Sequence, residues 1–257
     1  MSDWMSISEA RETDGLRLIL LRRMPSPWGQ AARCLFEVKN IAFTKVERRA
    51  DDGPNALLDW TRQTSFPAAM YNDERPRTGW EEILWLAERL APEPSLVPNA
   101  GEDRVRMFGL ARELMGELGL VWCFRLFAMS GRLKPSAAHP DAAAADFAAK
   151  YHSGADLVSF AHERMLNVLR LLDSELEAQL ARGRSYFFGV ALSALDIYWA
   201  TAANVLAPLP QDQLPLSERA RPIFTTMDTA LLQALTPRLL AHRDRVYADH
   251  LRLPVEL

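Results

Sequence analysis

The chain has 257 residues, 49% of them hydrophobic, with 12 Gly and 16 Pro, enough for one large domain or two small ones. Its net charge of −3 offers no basic excess to hold a phosphate backbone, which disfavours nucleic-acid binding. The opening MSDWMSISEARETDG lacks the basic start and apolar core of a signal peptide, and the longest aliphatic run, LRLILL, is far too short to span a bilayer. The chain therefore reads as cytoplasmic, away from membranes. Cys34 and Cys123 lie far apart with no C-x-x-C, which points to two reduced, buried structural thiols.

Residues 1–15 read as a polar tail. LRLILLRR (16–23) reads as a buried strand, WGQAARCLFEVKN (28–40) as a helix, and AFTKVERR (42–49) as a half-buried strand. GPNALLDWTRQ (53–63) has Pro54 near a helix start. FPAAMYNDERPR (66–77) predicts a short strand, a turn at Asn72-Asp73 and a second short strand. WEEILWLAERLA (80–91) is an amphipathic helix with Glu81 and Glu82 in its first turn, where the helix dipole favours carboxylates. The order is βαβ, then αββα.

PEPSLVPNAGE (92–102) reads as a linker, and everything after it as helical. Residues 103–130 carry Met107, Leu110, Leu114, Leu118 and Val121 at helical spacing, and 155–181 carry one long apolar stripe. The Ala-rich stretch 137–150 is read as loop and helix. SALDIYWATAANVL (193–206) is apolar nearly all round, as expected of a buried helix, and two more helices fit 216–234 and 237–251. The domain plan is a tail, an α/β domain over 16–91, a linker, and an all-helical domain over 103–257.

Three stretches could carry chemistry. In MPSPWGQAAR (24–33), Ser26 sits at the N-cap of a helix with Pro27 in the first turn. That residue type serves equally as a plain cap and as a hydroxyl donor to a ligand's thiolate, because a helix N-terminus stabilises anions. In TSFPAAMY (64–71), Pro67 opens a strand. A trans bond there is ordinary; a cis bond would turn the Phe66 N–H and C=O outward to pair with an extended peptide. In YFFGVALSALDIYWA (186–200), Ser193 and Asp196 form a capping box for the buried helix, a folding device. The five histidines, His139, His152, His162, His242 and His250, show no metal-ligand spacing, so no metal is expected.

These motifs, in this order and spacing, resemble the cytosolic glutathione transferases of the serine type, bacterial-like members in particular, over about residues 16–251. SPWGQAARCLFEVKNIAFTKVE is similar to the family's first helix and second strand, with Arg33 at the place of a common structural arginine. FPAAMYNDE is similar to the cis-proline segment, WEEILWLAERLAP to the third helix, and FFGVALSALDI to the capping-box helix. The resemblance implies a thioredoxin-like N-terminal βαβ-αββα domain that binds glutathione, an all-helical C-terminal domain, and a homodimer. It also implies detoxification-type conjugation of a small apolar electrophile.

By the same resemblance, Ser26 would hold the glutathione thiolate. Trp28, Phe66 and Pro67 would bind the cosubstrate, Phe66 through its backbone. Trp122 and Phe124 would line the electrophile pocket. One departure stands out. The family's acidic-serine pair, which grips the γ-glutamyl end, falls on Thr78-Gly79, or on Gly79-Trp80 with a one-residue shift. Thr78, the N–H groups of Gly79 and Trp80, and the charge of Arg77 or Glu81 are the available substitutes. Thr64-Ser65 likewise replaces the usual Gly-Lys. The resemblance therefore supports two functions: a transferase that activates glutathione, or a non-catalytic binding protein on the same fold with weakened glutathione binding. Isomerisation, dehalogenation and ether cleavage share the same motifs.

Overall fold

A computed structural model of the chain describes residues 4–130 and 155–257. The Ala-rich stretch 137–150, His139 and His152 lie outside the described residues. The first half holds a four-stranded sheet of order β1-β3-β2-β4, with β1 Trp4–Met5, β2 Leu16–Ile19, β3 Thr44–Val46 and β4 Ala68–Tyr71. β3 pairs parallel with β1 and β2, and β4 pairs antiparallel with β2. β2 is buried along its whole length, as a central strand covered on both faces must be.

The expected tail is part of the sheet instead. β1 pairs Trp4 with Lys45 and Met5 with Val46, and helix α1 (Ile7–Arg11) follows it. Ser6 caps α1 in a reciprocal box: its Oγ accepts from the Glu9 N–H at 3.1 Å, and the Glu9 carboxylate accepts from the Ser6 N–H at 2.7 Å. The rest of this half follows the order read from the sequence, with α2 (Pro27–Val38), α3 (Ala56–Thr61) and α4 (Trp80–Leu90). The second short strand expected before residue 77 is reduced to a single bridge, in which Ala69 and Arg77 exchange backbone hydrogen bonds.

The connection 92–102 is not a loose linker. Leu96 and Val97 are buried, and the Glu88 carboxylate receives the Lys39 ammonium, the Ser95 hydroxyl and the Leu96 N–H. The helical half then runs through α5 (Gly101–Met115), α6 (Leu120–Ser130), α7 (Ala155–Ala181), α8 (Ala194–Ala203), α9 (Thr229–Ala234) and α10 (Pro237–His250). The single helix expected over 103–130 is broken at 116–119. Leu118 adopts φ 57°, and a Cβ on Gly119 would lie 2.6 Å from the Glu113 carbonyl. Only glycine tolerates that approach. The helix expected over 216–234 is likewise split, into a short 3-10 turn at Arg221–Phe224 and α9.

All ten residues of α8 are buried. It packs against α2, α5 and α10, which makes it the element shared by both halves. Its N-terminus depends on Asp196. One carboxylate oxygen accepts from the Ser193 N–H (2.8 Å) and hydroxyl (2.6 Å), the other from the Phe187 N–H (3.1 Å) and His242 Nε2 (2.7 Å). His242 Nδ1 faces an Arg245 guanidinium nitrogen at 2.8 Å, which can only donate, so the imidazole proton sits on Nε2 and points at Asp196. A charge with no exposed surface is tolerable here because every acceptor site is filled. Replacing Asp196 by Ala strands four buried donors, and the expected loss is about 3 kcal/mol by urea unfolding. A loss below about 0.5 kcal/mol, ordinary for a surface position, would show that the box is not what holds α8.

Candidate functional site

A cleft of about 350 Å³ opens between the two halves. One wall is the face of α2 that carries Trp28, Ala32 and Leu35, residues four and three apart. The facing wall comes from α5 and α6, with Arg112, Met115, Trp122 and Arg125. Ser65, Phe66 and Pro67 form the rim on the sheet side, while Thr78, Trp80 and Tyr198 close the end. The Trp28 indole spans the gap: its Nε1 donates to the Met115 carbonyl at 2.7 Å, and the Arg125 guanidinium stands 5.5 Å from its ring centroid.

The Phe66–Pro67 bond is cis. Among the described residues, the Phe66 N–H and C=O have no hydrogen-bond partner, although both neighbours are engaged: the Ser65 and Pro67 carbonyls accept from the Gln63 amide. A half-buried peptide edge left open at a cleft is a place where an extended backbone can pair.

Of the residues singled out from the sequence, Trp28, Phe66, Pro67, Thr78 and Trp122 line the cleft together. Ser26 does not line it. Ser26 is the N-cap of α2, as its position predicts, and its Oγ accepts from the Gly29 N–H at 3.4 Å. It lines a separate, water-sized void of about 10 Å³ with Leu20, Gln30, Arg33 and Glu256. Glu256 fixes that face. Its carbonyl accepts from Gln30 and from Arg33, both at 3.0 Å, and its carboxylate meets Lys45 at 2.7 Å and the Trp4 indole at 3.2 Å.

Phe124 is also outside the cleft. It is buried and stacks on Phe224 at 6.4 Å between centroids. Trp122 and Phe124 are two residues apart on one helix, about 200° around the axis, so they cannot face the same cavity. Arg77 lines no part of the cleft, and its guanidinium is turned to the Glu74 carboxylate at 2.8 Å and to the Arg75 carbonyl.

The start of α4 is occupied by the chain itself. One Glu82 carboxylate oxygen accepts from the Thr78 N–H at 3.0 Å and the Gly79 N–H at 3.2 Å, and the other meets Arg75 at 2.6 Å. Burial opposes the Glu82 charge, but these N–H bonds and Arg75 outweigh it and hold the carboxyl below its usual range. Two of the N–H groups available for a ligand carboxylate are thus taken by a side chain. Trp80, half-buried, stands at this end with its ring edge-on to Tyr198 at 5.6 Å, and the Tyr198 hydroxyl donates to the Trp80 carbonyl at 3.3 Å.

Both cysteines are free thiols and buried. Burial pushes the Cys34 thiol up to about 12 and the Cys123 thiol up to about 11. Among the described residues no group of three or more His, Cys, Asp or Glu is placed to hold a metal, and no helix is long and apolar enough to cross a membrane.

No protein-family model matches the chain, and no curated protein matches it by sequence. Solved structures do resemble it. One is a glutathione S-transferase from Methylobacillus flagellatus KT with glutathione bound, 14% identical, with a TM-score of 0.62 over 91% of this chain and 95% of that one. Another is a glutathione S-transferase from Xanthobacter autotrophicus Py2, 16% identical, with a TM-score of 0.57 over 94% of this chain and 98% of that one. A rice GST in complex with glutathione is 18% identical, with a TM-score of 0.57 over 95% of this chain and 93% of that one. The fold is that of the glutathione transferases: a four-stranded mixed sheet with its helices, followed by an all-helical half.

The placement of Ser26 has a direct consequence. Ser26→Ala removes a helix cap, and its long hydrogen bond puts the loss near the low end of the usual range, about 0.5 kcal/mol in a denaturant melt. Binding in the cleft is expected to be unchanged by calorimetry. A large loss of affinity without a change in stability would place the hydroxyl against the ligand instead.

Proposed function

We propose that the chain is a ligand-binding protein on the glutathione transferase fold. It takes a small apolar molecule in the cleft and holds glutathione mainly through the cysteinyl backbone at Phe66, with a weak grip on the γ-glutamyl end. The observation that carries this reading is the Glu82 carboxylate on the Thr78 and Gly79 N–H groups, at 3.0 and 3.2 Å. An incoming carboxylate would have to displace it and would meet its negative charge on the way. The solved relatives with glutathione bound support glutathione as the ligand to test first.

Transfer chemistry is the second reading, and one observation favours it. Accepting from Gly29 uses a lone pair of Ser26 and leaves its proton, so the hydroxyl can still donate at the N-terminus of α2. In that case bound glutathione would react as a thiolate with an apolar electrophile set against Trp28 and Trp122.

The same proposal divides the chain at 92–102 into a glutathione-binding half and a ligand-selecting half, and pairs two copies. Support for a pair comes from the exposed Trp85, which stacks on Phe108 at 5.5 Å beside the exposed Val105.

Calorimetric titration with glutathione tests the reading. Wild type is expected to bind at about millimolar strength or weaker, a free energy of about −4 kcal/mol. Glu82→Ala frees the two N–H groups and is expected to tighten binding about two- to fivefold, the equivalent of the 0.3–1 kcal/mol that a helix terminus gives an anion. The same variant loses a cap whose carboxyl is held low in the folded state. Its contribution to stability is therefore present above the ordinary glutamate value and fades as pH falls through the lowered one. Micromolar binding by wild type, weakened by Glu82→Ala, would overturn the proposal.

A further inference from the structure

We propose that Gln63 is the positioning residue of the cleft's peptide rim: its side-chain amide holds the carbonyls on both sides of Phe66 and so presents the Phe66 N–H and C=O to a ligand backbone. The proposal rests on the reading of Phe66 as the backbone-binding point and adds the residue that aims it.

The rim is a short connection between α3 and β4. Thr61, buried at the end of α3, is its first anchor: the Oγ1 lies 2.7 Å from the Leu57 carbonyl and 3.2 Å from the Gln63 carbonyl. Arg62, in the left-handed region at φ 60°, then turns the chain out of the helix. The Gln63 main chain is thus tied back to α3 while its side chain runs forward. Its Nε2 donates to the Ser65 carbonyl at 2.8 Å and to the Pro67 carbonyl at 3.2 Å. Carbonyls only accept, so the amide nitrogen and not its oxygen must face them, and both of its hydrogens are engaged.

The peptide group turns this clamp into an aiming device. In a trans peptide the C=O and the N–H point to opposite edges of one plane. The Ser65–Phe66 bond is trans, so holding the Ser65 oxygen against Gln63 turns the Phe66 N–H the other way. The Pro67 carbonyl, held by the same amide, pins the chain on the far side of the Phe66 C=O, and Pro67 itself has no N–H to compete for a ligand. The Phe66 ring packs against the core cluster that includes Leu57 and Met70, which fixes the residue through its side chain. What is left over is the main-chain pair that stands open among the described residues. A ligand that pairs with an edge already held in place does not bear the cost of ordering it. Gln63 does not line the cleft, so its effect on a ligand there runs through Phe66.

The test uses the full chain and two probes titrated by calorimetry: S-hexylglutathione, a peptide with an apolar tail, and 1-naphthol, which can use only the apolar walls. Gln63→Leu keeps the bulk of the side chain and removes both donors. It is expected to weaken S-hexylglutathione about five- to tenfold, the scale of ordering a short segment on binding, and to leave 1-naphthol unchanged. Gln63→Glu has nearly the same shape, with no donor when ionised and one when protonated. It is expected to bind S-hexylglutathione no better than Gln63→Leu at about pH 7.5 and to recover part of the loss at about pH 4.5, where Gln63→Leu recovers nothing. Circular dichroism melts show whether each variant folds, and Gln63→Glu measured against wild type across pH carries the test if Gln63→Leu does not fold.

Undiminished binding of S-hexylglutathione by Gln63→Leu would overturn the proposal alone and leave the proposed function standing. An equal loss for both probes, or a Gln63→Glu variant that shows no recovery at low pH, would also overturn it, since either result separates the loss from donation to the two carbonyls. Failure of wild type to bind S-hexylglutathione would defeat the reading of Phe66 and this proposal with it.

Discussion

The structure depends on one buried carboxylate. Helix α8 has no polar face, so it cannot start in water and be covered later; its first N–H groups must be satisfied inside the protein. Asp196 does this together with Ser193, and it also ties in Phe187 and, through His242, the last long helix. Once α8 is seated, its neighbours follow. α2 packs on one side and brings the Trp28 wall, α5 packs on another and brings Arg112, and Tyr198 on α8 itself reaches the closed end of the cleft. The cap and the cleft thus meet on one helix, with Tyr198 two residues after Asp196.

The same need for an anion at a helix N-terminus explains why the cleft is unequal at its two ends. At α4 the need is met internally by Glu82, with Arg75 holding the carboxylate from behind. At the sheet rim, Phe66 keeps an unpartnered peptide edge among the described residues. Between them lies an apolar slot crossed by two guanidinium groups. A peptide-like ligand would find its backbone recognised at Phe66 and its distal carboxylate opposed at Glu82. Ser26, half-buried, lines a small void with Glu256 instead.

Much of the fold was legible because it is written in period and punctuation. The stripe over 155–181 matches its helix residue for residue, and the Ser193-x-x-Asp196 box marks the start of α8. Ser26 was correctly placed as a cap. Which face of a helix end a cap points to is set by the elements packed around it, and that is why its absence from the cleft could not be read. β1 is two residues long and carries no periodicity, though Ser6-x-x-Glu9 was a signal for α1 that the polar composition hid. The break at 116–119 was masked because apolar spacing continues through it; the two glycines were the cue.

Side-chain roles were less legible than elements. A glycine N-cap offers no capping oxygen of its own, so Glu82 reaching back to Thr78 and Gly79 was not written in any one residue. Arg77 looked available because its bridge to Ala69 and its pair with Glu74 are products of the folded turn. Trp80 and Tyr198 join the cleft only once α4 and α8 meet.

The central claim is that the cleft receives its ligand without Ser26 activating a thiol. The direct measurement is the ultraviolet thiolate absorbance of glutathione at saturating protein, followed against pH. The account predicts a bound thiol that ionises as free thiol does, unchanged in Ser26→Ala. Thiolate present at neutral pH in wild type and lost in Ser26→Ala would contradict it.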